Sequence, residues 1–375
     1  MLRTSYMTKM VRDINTSHAV NVLHIRDIPH LLHNAIVGAL DHVECKKAVN
    51  IAMKLAAIFK YAGKVKAEFL DICQEFEVTP KRIRTIMPAR WFTYRNCIND
   101  IVEFWNVLIA LLERSTGNGA KIDNLKKQLE IDCESDIDKQ EIYATLLVLS
   151  DVLNVIHPLR VEIEVKYFPP FRCFELFSQV QSVIQSLSST SFESPRTKAI
   201  LSASSPAVRL KARNSTKIFV QTFQQKWEAT CSRNLDTPQD GAQMKLCELS
   251  QIVNPEKKST VSQVFREYRE LFGTVHVEIT DDLEKEFAVY LQERTRLESD
   301  PLKYWISAEK DYPQLSTAGF RIMAVPSCSI EIERSFSKMG YVQRPERNRM
   351  NEESILQSLM LFVNKGTVPL DNGAN

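Results

Sequence analysis

Glycine is scarce in this sequence, with 10 among 375 residues. That argues against an architecture built from many tight turns. Paired cysteines are missing too. The eight cysteines stand singly, at 45, 73, 97, 133, 173, 231, 247 and 328, so no CxxC spacing suggests a structural zinc site or a redox motif. Reduced thiols fit a cytosolic or nuclear protein. Charge of one sign is also lacking. With 48 Lys plus Arg against 46 Asp plus Glu the net charge is +2, so no whole-chain field draws in nucleic acid, and any such contact needs a local patch. The opening residues "MLRTSYMTKMVRDINTSH" hold no apolar stretch of the signal-peptide kind. No unbroken run of about 18 apolar residues occurs, and no membrane span is expected.

What is present is an ordinary globular mix, 44% hydrophobic and 25% charged, enough to bury a core in two or three domains or in one with a large insertion. "AVNVLHI" (19–25) reads as a strand. The stretch from His30 to Phe76 carries apolar residues at helical spacing (Leu32, Ile36, Ala39, Leu40), predicting one or two helices. His24, His30 and His33 lie there without a zinc-like pattern and read as core or cap histidines. "EVTPKRIRTIMPARW" (77–91) reads as a connector with a basic face. Lys81, Arg82, Arg84, Arg90 and Arg95 could meet phosphates there, or simply face solvent.

Ile98, Ile101, Val102, Trp105, Leu108, Ile109 and Leu112 then step by three and four, an amphipathic helix ending at Gly117 and Gly119. Helices are expected at 121–131 and 136–157, with Pro158 stopping the second. "VEIEVKYFPPF" (161–171) alternates like a strand, but Pro169 and Pro170 cut it short. A helix at 172–187 leads into a serine-rich stretch, 186–205, expected to be a flexible loop. Further helices are expected at 207–230, 261–272 and 281–298, with a polar stretch before 259. The chain is therefore expected to be mainly α, without internal repeats.

The C-terminal residues carry a denser signal. In order they read Asp300-Pro301-Leu302 with Trp305, Tyr312-Pro313-Gln314-Leu315, Val325-Pro326-Ser327, Glu333-Arg334-Ser335-Phe336-Ser337, Gly340, Arg347-Asn348-Arg349-Met350 and Asn364. This ordered set resembles the C-terminal dimerisation region of the hAT superfamily (hobo, Activator, Tam3) of DNA transposases. Two looser likenesses lie upstream. Arg90-Trp91 in "MPARWFTYRNCI" is similar to the family's Thr-Arg-Trp element. "IPHLLHNAI" sits where the family has Cys-x-x-His, with His33 in the histidine place and His30 replacing the cysteine.

The resemblance implies an architecture: a truncated RNase H-like remnant at 1–112, a long helical insertion at 113–279 with the serine-rich loop near 186–206, C-terminal dimerisation helices at 280–365, and a tail at 366–375. It also implies a chemistry. The intact ancestral enzyme holds Mg²⁺ with two aspartates and one glutamate, and one carboxylate alone cannot assemble that pair of cations. Glu333 matches the third carboxylate. The second falls near Leu2 or Arg3, where no acid stands, and the strand bearing the first is missing. Glu333 is then a vestigial carboxylate, beside a stripe of Ile332, Phe336 and Met339. No cofactor, metal or nuclease activity is expected of this chain, and catalysis is kept for the alternative that it is a fragment of an active transposase whose two aspartates lie upstream.

By the same resemblance Trp91 is either a base-stacking aromatic or a packed one, and Arg90, Lys81, Arg82 and Arg84 give weak DNA binding. Trp305, Phe336, Ile355, Leu356, Leu359, Met360, Phe362 and Val363 are the expected dimer residues. In "NEESILQSLMLFV" these last six spread over a broad apolar face, with Asn351 as N-cap. The expectation is a nuclear homodimer.

Overall fold

The computed structural model describes residues 27–59, 63–86, 93–114, 127, 136–163, 169–189, 192–233, 245–255, 272, 273, 275, 277–292, 300–325, 353, 354 and 357. Among them no strand occurs, and the strand expected at 19–25 lies outside them. The mainly α expectation holds.

The stretch from His30 to Phe76 holds three helices rather than one or two: α1 (Ile28–Leu40), α2 (Val43–Ile58) and α3 (Gly63–Glu75). Each start has a local cause. Asp27 accepts from the His30 N–H, and Pro29 sits in the first turn of α1. His42 leaves helical geometry and its Nδ1 accepts from the Glu44 N–H, opening α2. The end of α3 is unusual. Glu77 stands at φ 53°, its N–H donates to Gln74 O, and the Val78 N–H donates to Cys73 O. That is a Schellman ending with glutamate in the place glycine usually takes.

α4 (Thr93–Glu103) and α5 (Trp105–Arg114) realise the apolar stripe seen in the sequence, with a one-residue interruption at Phe104. The hydrogen-bond ladder runs through it, from Phe104 N–H to Asp100 O and from Leu108 N–H to Phe104 O. α6 (Asp136–Ile163) continues through Pro158 instead of stopping there. Proline removes one ladder bond, but Ile156, Leu159 and Ile163 on either side are buried, and burial of three large apolar side chains outweighs it. α6 is long and apolar enough to cross a membrane by length and composition, yet 67% of that window is buried inside the fold. Its apolarity is spent on α2, α4, α7, α8 and α9, which surround it.

α7 (Pro170–Leu187) is followed by α8 (Pro195–Ala203), which corrects the expectation of a flexible serine-rich loop. The Ser194 hydroxyl accepts from the Thr197 N–H, Pro195 occupies the first turn, and the Asp151 carboxylate of α6 accepts from the Ser194 N–H at 2.8 Å. Leu201 then packs with Ala144, Val148, Val208 and Ala212. α9 (Pro206–Arg233) lies along α1 and α6. Gly38 of α1 lets the Lys226 stem of α9 pass close over the backbone.

One large core is shared by α1–α7 and α9, running from Leu32 to Cys247. A second core gathers a 3₁₀ turn (Ser250–Val253), α10 (Asp281–Gln292), α11 (Pro301–Ala308) and α12 (Pro313–Met323). Phe171 of α7 enters this second core, and Gln251 Nε2–H donates to Phe171 O at 2.8 Å. The polar stretch expected before 259 therefore contains a buried turn, because its Ile252 and Val253 are the lid of the C-terminal core.

Candidate functional site

The described residues of the C-terminal region are built around Trp305. Asp300 caps α11 by accepting from the Leu302 and Lys303 N–H groups, with Pro301 behind it. This turns Tyr304, Trp305 and Ala308 inward. Trp305 is fully buried in its own chain, and its indole N–H donates to Val253 O at 2.8 Å. The indole lies on the backbone of α12, where an added Cβ at Gly319 would come within 3.2 Å of it. Tyr290, Tyr304 and Tyr312 ring the same core, with Tyr290 and Trp305 centroids 5.4 Å apart. Burial, then the neighbouring phenols of Tyr304 and Tyr312, push the Tyr290 hydroxyl well above its ordinary pKa. Glu286 of α10 accepts from the Leu315 N–H at 2.8 Å, so a neighbouring helix closes the open N-terminus of α12.

The flank of α11 beside that buried stripe is apolar and open. Leu302 is 47% exposed and Ile306, one turn later, 58% exposed. α10 adds Val289, also exposed. The family resemblance puts Trp305 among the dimer residues, but its side chain is buried within its own fold. Two smaller residues in the same helix present apolar surface outward, and spacing alone does not show which apolar residue of a short helix faces in.

The basic connector is organised by an acid. Asp100, fully buried in α4, accepts from the Arg84 N–H at 2.9 Å and from Arg84 Nε–H at 2.8 Å on one oxygen, and from Arg84 Nη2–H at 2.7 Å on the other. Lys81 Nζ stands 3.3 Å from the same carboxylate and pairs with Glu103. Burial pushes the Asp100 pKa up, but Arg84's hydrogen bonds and charge, with Lys81 behind them, outweigh it and hold the carboxyl below its ordinary value. Of the five cations that could meet phosphates, Lys81 and Arg84 thus serve an internal carboxylate, and Arg82 is exposed. Arg95 donates to Asn154 Oδ1 at 2.7 Å. Asp100 was missed in the sequence, since an acid inside an apolar stripe reads as a solvated position until a cation 16 residues away in the connector is brought to it.

His33 is buried and its pKa is pushed down to about 4, first by burial and then by His30, whose ring centroid is 6.3 Å away. Among the described residues no three His, Cys, Asp or Glu side chains come together as metal ligands. Glu333, Trp91, Arg90, Phe336, Ile355, Leu356, Leu359, Met360, Phe362 and Val363 lie outside the described residues.

Residues 286–364 match the model of the hAT family C-terminal dimerisation region. The match covers 79 of the 375 residues and is a likeness of that stretch alone. Within it fall most of α10 and all of α11 and α12, so Trp305 and the open Leu302–Ile306 flank both lie in the stretch that resembles that region, while Phe171 and Val253 of the same core lie before it. The match speaks for this region and not for an RNase H-like core. No curated protein matches the chain.

Proposed function

We propose that this hAT-related protein acts as a self-associating module, a nuclear homodimer by ancestry, and does not cut DNA by itself. The observation that carries the reading is the coincidence of the matched dimerisation region with an exposed apolar flank, Leu302 and Ile306, on a rigidly held helix. α11 is fixed from within by Trp305 and capped by Asp300, so the flank is presented in one orientation, and little ordering is needed on association. That it does not cut DNA is the second part of the proposal, carried over from the family pattern, in which Glu333 matches one of three metal-holding carboxylates.

Co-expression of two differently tagged copies tests the association. Each tag recovers the other copy, and Ile306→Asp, at an exposed position, abolishes recovery while the helical content stays intact. Recovery unaffected by Leu302→Asp and Ile306→Asp together would remove α11 from the interface. Plasmid nicking with Mg²⁺ tests the second part. The expected result is no nicking, and nicking that disappears in Glu333→Gln would overturn it.

A further inference from the structure

Beside the basic connector lies a groove of about 540 Å³, between the end of α2, one face of α3 and the extended residues 80–85. Its floor is apolar: Phe69 and Ile83 are buried and Phe59 is half-buried. Leu70, 42% exposed, forms an aliphatic wall. Lys66, Lys81 and Arg82 stand around it, and no acidic residue lines it among the described residues. Lys81 is already engaged with Asp100 and Glu103. Lys66 and Arg82 are exposed and make no hydrogen bond or ion pair among the described residues. The groove therefore offers an open recess with an apolar floor, roomier than one side chain, beneath two cations that make no ion pair among the described residues.

We propose that this groove docks a short acidic segment of a partner protein, seating one large apolar side chain against Phe69 and Leu70 and placing carboxylates on Lys66 and Arg82. Charge complementarity requires an anionic occupant. The ring geometry selects a peptide over a nucleic acid. A base needs an open aromatic face to stack on, but Phe69 is 3% exposed and is held edge-on by Phe59 at 4.9 Å and tilted against Phe104 at 5.3 Å. The surface left open is the Leu70 wall and an edge of half-buried Phe59, already packed against Phe69, which suits a leucine-like or phenylalanine-like anchor. Arg82 can reach a carboxylate with two parallel N–H donors and Lys66 with a mobile ammonium. This site is separate from the dimerisation region, and its occupancy does not depend on self-association.

The test is an array of immobilised peptides, each a run of Asp and Glu around one central position that is scanned over all side chains, probed with the full chain. The expected result is retention by members with a central Leu, Ile, Met or Phe and none by those with Gly, Ser or Lys. Lys66→Glu combined with Arg82→Glu reverses the rim charge and lowers affinity for the best member by at least about tenfold, and Leu70→Ser does the same without altering charge. All three positions are exposed, so folding is spared, and circular dichroism verifies it. Retention of no member, or retention indifferent to the central residue, overturns the proposal. Tighter binding of a single-stranded oligonucleotide of equal charge, lost in the same charge-reversed variant, assigns the groove to nucleic acid instead.

Discussion

Asp100 holds the connector to α4 through three hydrogen bonds from one arginine. Removing one partner of a buried ion pair costs more than the pair contributes, because the other charge stays behind without compensation. Arg84→Ala is therefore expected to destabilise the protein by about 3 kcal/mol near neutral pH, the low end of that class since Arg84 itself is half exposed and Lys81 remains. The sign with pH follows from the depressed Asp100 pKa. A carboxyl of that kind contributes stability above its unfolded value of roughly 3.9 and loses it as pH falls through the folded one. Denaturant titrations should show the wild-type advantage over Arg84→Ala shrinking in that acid window. A constant gap across pH would contradict the ion-pair account.

His33 titrates in a separate window. Its folded pKa is lowered from 6.5 to about 4, so the unfolded chain takes up the proton first and stability falls as pH drops through that interval. The loss is on the order of 3 kcal/mol, and His33→Gln should flatten it. None of the five buried, described cysteines should react with iodoacetamide in the native state. Cys45 and Cys97 are pushed up to about 12, chiefly by burial, then by Glu44 and Asp100 respectively.

At the scale of elements, two glycine-related positions have opposite expectations. Glu77 occupies the left-handed region, where glycine is free of Cβ strain, so Glu77→Gly should raise stability by about 0.5–1 kcal/mol. Gly319 sits in a helix, where alanine would ordinarily gain a similar amount. There the added methyl meets an indole that is fully buried and tethered to Val253 O, and Gly319→Ala should instead lose about 1 kcal/mol. Thermal melts of the two variants check both signs.

Helix identity was largely legible in the sequence, because apolar periodicity and proline starts are local. The breaks were not. Residues 41 and 42 interrupt a pattern that reads as continuous, and only the turn of His42 out of helical geometry marks the start of α2. The Ser194-Pro195 pair was a start signal in plain view, masked by the serine content around it, and α8 followed once Leu201 found α6 and α9. Pro158 had the reverse character: a stop signal overruled by packing on both sides. The C-terminal region was legible as a family motif, but which face of α11 stays open is decided by α12 and by Val253, which is 52 residues from Trp305.

At the scale of the molecule, two cores meet at Phe171 and Gln251, where the Gln251 side-chain N–H donates to the Phe171 carbonyl in a buried hydrogen bond and seats the C-terminal core on the rest of the chain. That seating fixes the direction in which Leu302 and Ile306 face, and it is why self-association rather than any single side chain is the central claim. Light scattering after size exclusion, on the whole chain at micromolar concentration, tests it most directly. The expected mass is twice the 43.0 kDa chain, falling to one chain when Leu302→Asp and Ile306→Asp are combined. A mass of 43.0 kDa for the unaltered protein at every concentration measured would contradict the account.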